Sequence, residues 1–306
     1  MVRTRRNART VLATALIVAL AGCAGGGPSQ PPSGRGVVRV ASYDFSENEV
    51  LAEVYGQALR RKGFRVTLSA QLGTREIVEP ALEQGHLDLV IDYLGTALDF
   101  ASPGDPHTHG DSATAYQALR TKLAPRGIDT LGFAQAQDQN GFAVTAQFAR
   151  QHGLSKISDL VGLSASLVFG GPPECPNRPY CLPGLERAYG LRFRSFLPMP
   201  TRIATATALT TGEISVGLLE TTDARLADGQ LRLLADDRGL QPRENIVPLV
   251  RRDVMKAHGS RVTAALAHVT AVLTTRDLIE LNRAVEVDGL SPAQAATQWL
   301  ARLPKR

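Results

Sequence analysis

The chain has 306 residues with 34 basic and 29 acidic side chains, which gives a formal net charge of +5. Four arginines and no acids fall within residues 1–22, so the rest is nearly balanced, with 30 basic and 29 acidic residues. Because no later run is rich in Lys or Arg, the charge does not indicate a nucleic-acid-binding protein. No later stretch has 18 consecutive apolar residues, so no further membrane span is expected. The 43% hydrophobic content is ordinary, and the roughly 270 residues from Val37 onward are enough for one large or two medium globular domains.

The first residues are typical of an exported lipoprotein. Arginines precede an apolar stretch, Val11–Leu20, that is too short to span a bilayer. The stretch ends in Leu20-Ala21-Gly22-Cys23, which resembles a bacterial lipobox. Residues 1–22 are therefore predicted to be a signal peptide. Cys23 would carry the lipid that holds the protein on the extracytoplasmic side of the cell membrane. A plain secretory signal with a chance cysteine is the alternative.

A flexible tether is predicted at residues 23–36. This segment consists mainly of Gly, Pro, Ser and Gln, and such a composition cannot bury a core. The folded part is therefore expected to begin near Val37.

From Val37 onward, short β-rich runs alternate with helical ones. The predicted elements are a strand at 37–42, a helix from Ser46 to about Lys62, a strand at 64–68, a helix from Thr74 to Gly85 and a strand at 87–91. Apolar residues recur at helical spacing through the first of these helices. The β-α-β-α-β order predicts a parallel sheet with helices on both faces.

The alternation restarts in the second half of the chain. Strands are predicted near 142–144, 165–169, 193–197, 214–219 and 231–234, with helices at 182–189 and 201–211. After a strand-like run at 248–250, residues 262–303 are predicted to be helical. No internal sequence repeat is visible. Two α/β units with a helical tail predict two lobes and a chain that crosses back to the first.

Several runs resemble osmoprotectant-binding proteins, the glycine betaine/choline/carnitine-type solute receptors of ABC importers. They are Tyr43–Glu53, Leu72–Val78, Gly85–Leu89, Asp92–Leu98 and Phe169–Leu185. Each run is weak alone, but their order and spacing are specific. The resemblance covers nearly all of residues 37–303.

The resemblance implies an α/β, two-lobe, periplasmic-binding-protein-like fold of type II, with mixed sheets flanked by helices and a hinge. Lobe 1 would comprise residues 37–140 and 246–306, and lobe 2 residues 141–245. A small solute would bind between the lobes, outside the carboxyl ends of the strands. The resemblance further implies a monomeric receptor without cofactor or enzymatic activity, whose partners are the permease and ATPase subunits of the transporter.

Ligand contacts also follow from the resemblance. The predicted residues are Tyr43, Tyr93, Thr96, Asn140, Phe142, Arg178 and Glu220. Family receptors enclose a quaternary ammonium group in aromatic faces, each worth about 0.5–2 kcal/mol when desolvated. Tyr93 and Phe142 match aromatic positions of this cage. Arg178 matches the arginine that binds the ligand's carboxylate through paired hydrogen bonds.

The chain departs from the family pattern at two predicted contacts. Tyr43 lies where many relatives carry lysine, and Glu220 lies near a position where tyrosine is common. A receptor of the same fold for a different small solute is therefore the alternative. Five of the seven predicted contacts also have a structural interpretation. It is packing at a strand end for Tyr93, packing in the core for Phe142, a surface ion pair for Arg178, a position on the cleft rim for Tyr43 and a solvated carboxylate for Glu220.

Cys175 and Cys181 are the two cysteines left in an exported chain, where disulfides persist. A bridge between them would stabilise the fold by roughly 2–2.5 kcal/mol and stiffen the segment that carries Arg178. Metal ligation is the alternative, but a closed zinc site needs four ligands.

A secreted hydrolase or metal-dependent enzyme is the competing hypothesis from another class. It would use His107 and His109 in a Gly/Pro/Asp loop. No nucleophile elbow or phosphate-binding glycine loop supports it. We therefore expect neither a metal site nor an enzyme.

Overall fold

The computed structural model describes residues 37–103 and 111–304, which contain ten strands and ten α-helices. The strands are β1 (Val37–Ala41), β2 (Arg65–Ser69), β3 (Leu89–Tyr93), β4 (Ile128–Thr130), β5 (Asn140–Thr145), β6 (Val168–Gly171), β7 (Ser195–Pro198), β8 (Val216–Glu220), β9 (Leu231–Leu234) and β10 (Ile246–Arg251). The helices are α1 (Ser46–Arg61), α2 (Arg75–Glu83), α3 (Leu94–Ala101), α4 (Ser112–Leu123), α5 (Ala146–His152), α6 (Leu182–Tyr189), α7 (Arg202–Thr211), α8 (Arg252–Val272), α9 (Thr275–Glu286) and α10 (Pro292–Arg302).

The strands form two five-stranded sheets that repeat one topology. The orders are β2-β1-β3-β10-β4 and β7-β6-β8-β5-β9. In each sheet the first three strands are parallel, and the fourth runs antiparallel to both of its neighbours. The mixed sheets flanked by helices confirm the predicted fold class. We call the part around the first sheet lobe 1 and the part around the second lobe 2.

The chain passes between the sheets twice, and the two passages lie side by side. Gln137 forms an antiparallel bridge with Asn245, and the N–H of Asp138 donates to the carbonyl of Glu244 over 3.1 Å. The second passage delivers β10 into the first sheet between β3 and β4. The two crossings therefore form a short double-stranded connection between the lobes.

The C-terminal helices pack on lobe 1. α10 lies along α1, and the buried Trp299 donates from Nε1 to Asp277 over 2.8 Å. Helical structure begins at Arg252, earlier than the predicted residue 262, and α8 is bent at His258. Among the described residues, no single helix is long and apolar enough to cross a membrane. Only α8 and α9 meet that length and composition together, as a pair bent by 93°.

A carboxylate from the second crossing caps α3. Glu244 accepts hydrogen bonds from the N–H groups of Gly95 (3.0 Å) and Thr96 (3.1 Å), and no side chain at the N-cap position itself does so. An acid is favourable there because the helix N-terminus carries partial positive charge. A Cβ on Gly95 would lie 2.5 Å from Pro242, which accounts for glycine at this close approach. The cap thereby fixes lobe 1 to the crossing.

Stability should depend on pH through this cap. Burial raises the pKa of Glu244 to about 8, from a usual 4.5, although the N–H group of Thr96 opposes the shift. The folded state thus retains a proton that the unfolded state loses. The resulting contribution is complete below pH 4.5 and is lost as pH rises towards 8, by up to about 1.4 kcal/mol per pH unit.

Glu244→Gln keeps an oxygen for the two N–H groups and removes the buried charge. The unfolding free energy of the variant, measured by urea denaturation, should therefore increase relative to wild type as pH rises from 5 to 8. Glu213→Gln, at an exposed position of lobe 2, controls for the loss of a carboxyl. A difference between Glu244→Gln and wild type that stays constant across this range would refute the assignment.

Phe142 lies in the core of lobe 2. Its side chain is 1% exposed, and its ring centroid is 6.0 Å from that of Phe169. Strand β5 places it opposite Leu218 and Leu234, which are also buried. The ring therefore packs within lobe 2, and its predicted ligand contact stays a prediction.

Truncation of Phe142 separates a packing role from a binding role. Phe142→Ala should lower the unfolding free energy by about 3–5 kcal/mol, because it removes a buried ring and leaves a cavity. Val161→Ala, at a position 52% exposed, should change it by no more than about 0.5 kcal/mol. Equal stability of Phe142→Ala and wild type in chemical denaturation would speak against the packing role.

Candidate functional site

An aromatic row lies just after the first strand of lobe 1. The rings of Tyr43 and Phe45 are nearly parallel, with centroids 6.2 Å apart, and Phe45 lies 5.9 Å from Tyr93. Tyr43 and Tyr93 are almost fully buried, whereas Phe45 is 41% exposed. Phe45 is thus the member of the row that offers an open ring face.

A buried ion pair between Arg75 and Asp92 contacts this row through Tyr43. Arg75, the first residue of α2, donates to Asp92 at 2.5 and 3.3 Å and to Thr96 Oγ1 at 3.0 Å. Its guanidinium also lies 5.1 Å from the centroid of the Tyr43 ring. The Tyr43 hydroxyl donates to Asp92 over 2.6 Å. Burial works against the charged form of Arg75, but Asp92, Tyr43 and Glu244 together outweigh it, and the pKa of Arg75 is raised.

Lobe 2 has an equivalent ion pair. Arg202, the first residue of α7, donates from Nε to Oε1 of Glu220, the last residue of β8. β8 occupies the same place in the second sheet that β3 occupies in the first. Burial raises the pKa of Glu220, although Arg202 opposes the shift. Unlike Asp92, Glu220 stays about 28% exposed.

Glu47 connects the two lobes. Its carboxylate accepts hydrogen bonds from the Tyr93 hydroxyl (2.9 Å), from Thr222 of lobe 2 (2.6 Å) and from Asn282 of α9 (2.7 Å). Burial raises the pKa of Glu47 against the effect of these donors, and the charge of Glu220 adds to the shift. Lobe 2 thus supplies one of the three side chains that donate to this buried carboxylate.

A third carboxylate, Asp138, lies on the first crossing. It is 9% exposed, and the Thr221 hydroxyl lies 3.5 Å from its Oδ1. Burial raises its pKa well above the usual value, and the charges of Glu47 and Glu220 raise it further. We call Glu47, Asp138 and Glu220 the acidic seam. Residues 220–222 link these three carboxylates. Glu220 is one of them, Thr221 lies beside Asp138, and Thr222 donates to Glu47.

The disulfide loop of lobe 2 reaches towards lobe 1. Cys175 and Cys181 are bonded, with Cα atoms 5.3 Å apart, and Arg178 between them is exposed. The Thr74 hydroxyl lowers the pKa of Glu76 in lobe 1, and the charge of Arg178 lowers it further. Arg178 therefore lies within electrostatic reach of the start of α2.

Tyr180 in the same loop also contacts lobe 1. Burial raises its pKa, and so does a hydrogen bond from its hydroxyl to Asp99 of α3. Gln241 of the second crossing donates to the Tyr180 carbonyl over 2.8 Å. The loop thus touches α3 on one side and the crossing on the other.

The structure brings some of the predicted residues together and not others. Tyr43, Tyr93 and Thr96 meet around the Arg75–Asp92 pair. Asn140 lies directly opposite Glu220 in the β5–β8 ladder. Phe142 packs in the core, and Arg178 lies exposed on the disulfide loop, so the ligand contacts predicted for both stay predictions. The His107–His109 segment lies outside the described residues. Within them, no group of three His, Cys, Asp or Glu side chains could hold a metal ion.

The residues that the sequence analysis did not single out are mostly charged. They are Phe45, Glu47, Arg75, Asp92, Asp138, Arg202 and Glu244. The family resemblance could have identified four of them, because its runs include Phe45, Glu47, Arg75 and Asp92. Arg202 follows the N-cap residue Thr201, just as Arg75 follows the N-cap residue Thr74. This similarity could have identified Arg202 from the sequence.

Comparisons with known proteins agree with this architecture. A family model described as the substrate-binding domain of an ABC-type glycine betaine transport system matches residues 36–302. The glycine-betaine-binding protein of Pseudomonas aeruginosa is 28% identical over 299 residues, which cover 94% of each chain. The glycine betaine-binding protein YehZ of Escherichia coli is 26% identical over 286 residues, covering 89% of this chain and 92% of YehZ.

Solved structures show the same fold. A crystal structure titled as a glycine betaine/carnitine/choline ABC transporter superposes with a TM-score of 0.76 at 23% identity, over 87% of this chain and 98% of that one. Members of such families are extracytoplasmic solute-binding proteins that work with the permease and ATPase of ABC importers. Since the family model spans almost all of the folded part, the chain belongs to the family of substrate-binding domains of ABC-type glycine betaine transport systems.

Proposed function

We propose that this protein is a lipid-anchored receptor that captures an osmoprotectant and delivers it to an ABC permease and ATPase. The ligand would be a quaternary ammonium compound such as glycine betaine, choline or carnitine. It would bind between the lobes, where the aromatic row of lobe 1 faces the acidic seam. Cys23 would carry the lipid, and residues 23–36 would tether the folded part to the membrane.

The observation that carries this proposal is the exposed ring of Phe45, in a row whose buried members Tyr43 and Tyr93 are bound to carboxylates. A quaternary ammonium group has no N–H to donate, so it is recognised by ring faces and by negative charge at short range. Phe45 supplies a ring that is exposed in the described structure, and Tyr43 and Tyr93 fix its position. The seam supplies the negative charge.

Contacts between the lobes support capture by closure. Thr222 reaches Glu47 from lobe 2, and Arg225 of lobe 2 pairs with Glu286 of α9 over 3.2 Å. Such contacts form only when the lobes approach each other. A ligand that touches both lobes would shift the population towards this arrangement, which would in turn favour docking on the permease.

A different small solute is the second candidate, and the Arg202–Glu220 pair favours it. The pair occupies the wall of lobe 2 where relatives commonly present a tyrosine. A wall of paired charges would accept polar groups that an aromatic wall excludes. Mass spectrometry of ligand that co-purifies with the protein would separate the two candidates, because a neutral or aromatic compound would support only the second.

Calorimetric titration with glycine betaine, choline and carnitine tests the leading candidate. At least one should bind, and Phe45→Ala should weaken that binding by about 3- to 30-fold, as expected for the loss of one desolvated ring face. Val161→Ala, exposed in lobe 2, should leave the affinity unchanged. Folded protein that binds none of the three would contradict the osmoprotectant assignment.

The lipid anchor has its own test. Cys23→Ser should move the protein from the membrane fraction to the soluble fraction and abolish incorporation of labelled fatty acid, because the acylated sulfur is lost. Cys175→Ser is the matched control, since it removes a cysteine from the folded part and should leave the protein acylated. Labelled Cys23→Ser in the membrane fraction would refute the anchor.

A further inference from the structure

Lobe 1 carries a cluster of exposed basic residues where α1 ends. Arg60, Arg61 and Lys62 are consecutive at the end of this helix, and Arg65 begins β2 shortly after them. Arg261 of α8 is also exposed and joins the cluster, because its Nη2 donates to the carbonyl of Lys62 over 2.8 Å. We call these five residues the basic face.

Most of the positive charge on the basic face is not compensated. Arg60 pairs with Glu53 over 3.1 Å, and it is the one member that forms an ion pair in the part of the chain that the structure describes. Arg61 and Arg261 donate to backbone carbonyls, which carry no net charge. Four cationic side chains thus remain available to an anionic partner.

The elements around the basic face also lack acids. Residues 54–75, 254–276 and 289–306 contain no Asp or Glu. These segments include most of α1 and α8 and all of β2 and α10, and α1 packs against the other three. The chain after residue 22 is nearly balanced overall, with 30 basic and 29 acidic residues. The excess of positive charge is therefore a local property of this face.

The basic face lies at the point where the folded part begins. Val37, the first residue of β1, is opposite Arg65 in the β1–β2 ladder. The tether proposed at residues 23–36 directly precedes it, and 14 residues span at most about 50 Å. From Val37, β1 leads to Tyr43 of the aromatic row, about 20 Å along the strand direction. The basic face and the candidate site thus lie at opposite ends of the same strand.

We infer that the basic face binds the anionic headgroups of the lipid bilayer to which the tether is anchored. Near such a surface each Lys or Arg strengthens binding by about fivefold, and arginine can donate paired hydrogen bonds to a phosphate. The tether keeps the face within reach of the bilayer. The contact would hold the aromatic row at the end of β1 directed away from the membrane. This inference rests on the lipid anchor of the proposed function and adds a second membrane contact to it.

Co-sedimentation with lipid vesicles tests the basic face without the acyl chains. The parent protein is the full chain with Cys23→Ser, and the vesicles contain phosphatidylcholine alone or mixed with phosphatidylglycerol. The parent should bind the mixed, anionic vesicles more tightly. Combining Arg61→Gln, Lys62→Gln and Arg65→Gln should weaken that binding by at least about tenfold, because three charges are lost. Raising the salt from about 0.1 M to 1 M should weaken binding of the parent, since the Debye length falls from about 10 Å to 3 Å.

A second triple variant of the same parent is the matched control. Arg150→Gln, Arg194→Gln and Arg232→Gln remove the same charge from exposed positions of lobe 2 and should leave binding as in the parent. Residues 1–22 are common to all three proteins, so they cannot cause a difference between them. Circular dichroism and melting temperature establish that each variant is folded.

The outcomes separate this inference from the proposed function. Equal binding of the two triple variants to the anionic vesicles would overturn the inference. Equal binding of the parent to anionic and neutral vesicles would also overturn it. Either result would leave the receptor and its lipid anchor standing, because solute binding and acylation of Cys23 are measured separately.

Discussion

Carboxylates buried where the two lobes meet constrain the rest of this structure. An isolated charge in such a place is unfavourable by several kcal/mol unless donors surround it. Glu47 obtains its donors from three separate parts of the chain, β3, α9 and the segment after β8. The position of lobe 2 relative to lobe 1 is therefore tied to a hydrogen-bonding requirement and not only to apolar packing.

The shared topology of the sheets explains why charges gather there. Both lobes use the same strand order. In each, an arginine begins the helix that precedes the third strand of the sheet, and an acid lies at the end of that strand. In lobe 1, the Tyr43 hydroxyl and a capping interaction with the Tyr93 N–H complete the environment of Asp92. In lobe 2, Glu220 is bound to Arg202 and remains partly exposed. The arginine–acid pair is thus enclosed around Asp92 in lobe 1 and partly exposed at Glu220 in lobe 2.

Much of the fold could be predicted from the sequence because its periodicity is strong. The predicted helix at 182–189 coincides with α6, and the first three strands and two helices lie within a few residues of the predicted positions. β4 and α3 were not predicted. β4 has three residues and α3 has eight, so neither is long enough to show a diagnostic period. The strand at 248–250 and the return of the chain to the first lobe were predicted, but the antiparallel direction of β10 was not, because local pattern does not encode strand direction.

The site was less predictable than the fold, because its contacts join distant residues. Tyr93 and Thr96 follow a strand and could be placed by the rule that ligands bind at strand ends. Glu47 was hidden in an amphipathic helix, and its partners lie 46, 175 and 235 residues away. Phe142 alternates with small residues along β5, and only the packing of Phe169 against it reveals which face is the core.

The central claim is that a bound cation neutralises the acidic seam. Burial raises the pKa values of Glu47, Asp138 and Glu220, and the charge of Glu220 adds to the shifts of Glu47 and Asp138. A cation placed among them must lower those pKa values and expel protons. Calorimetric titration of choline at pH 6, in two buffers of different ionisation enthalpy, measures this exchange directly. The account predicts net proton release on binding, and binding without release, or with proton uptake, would contradict it.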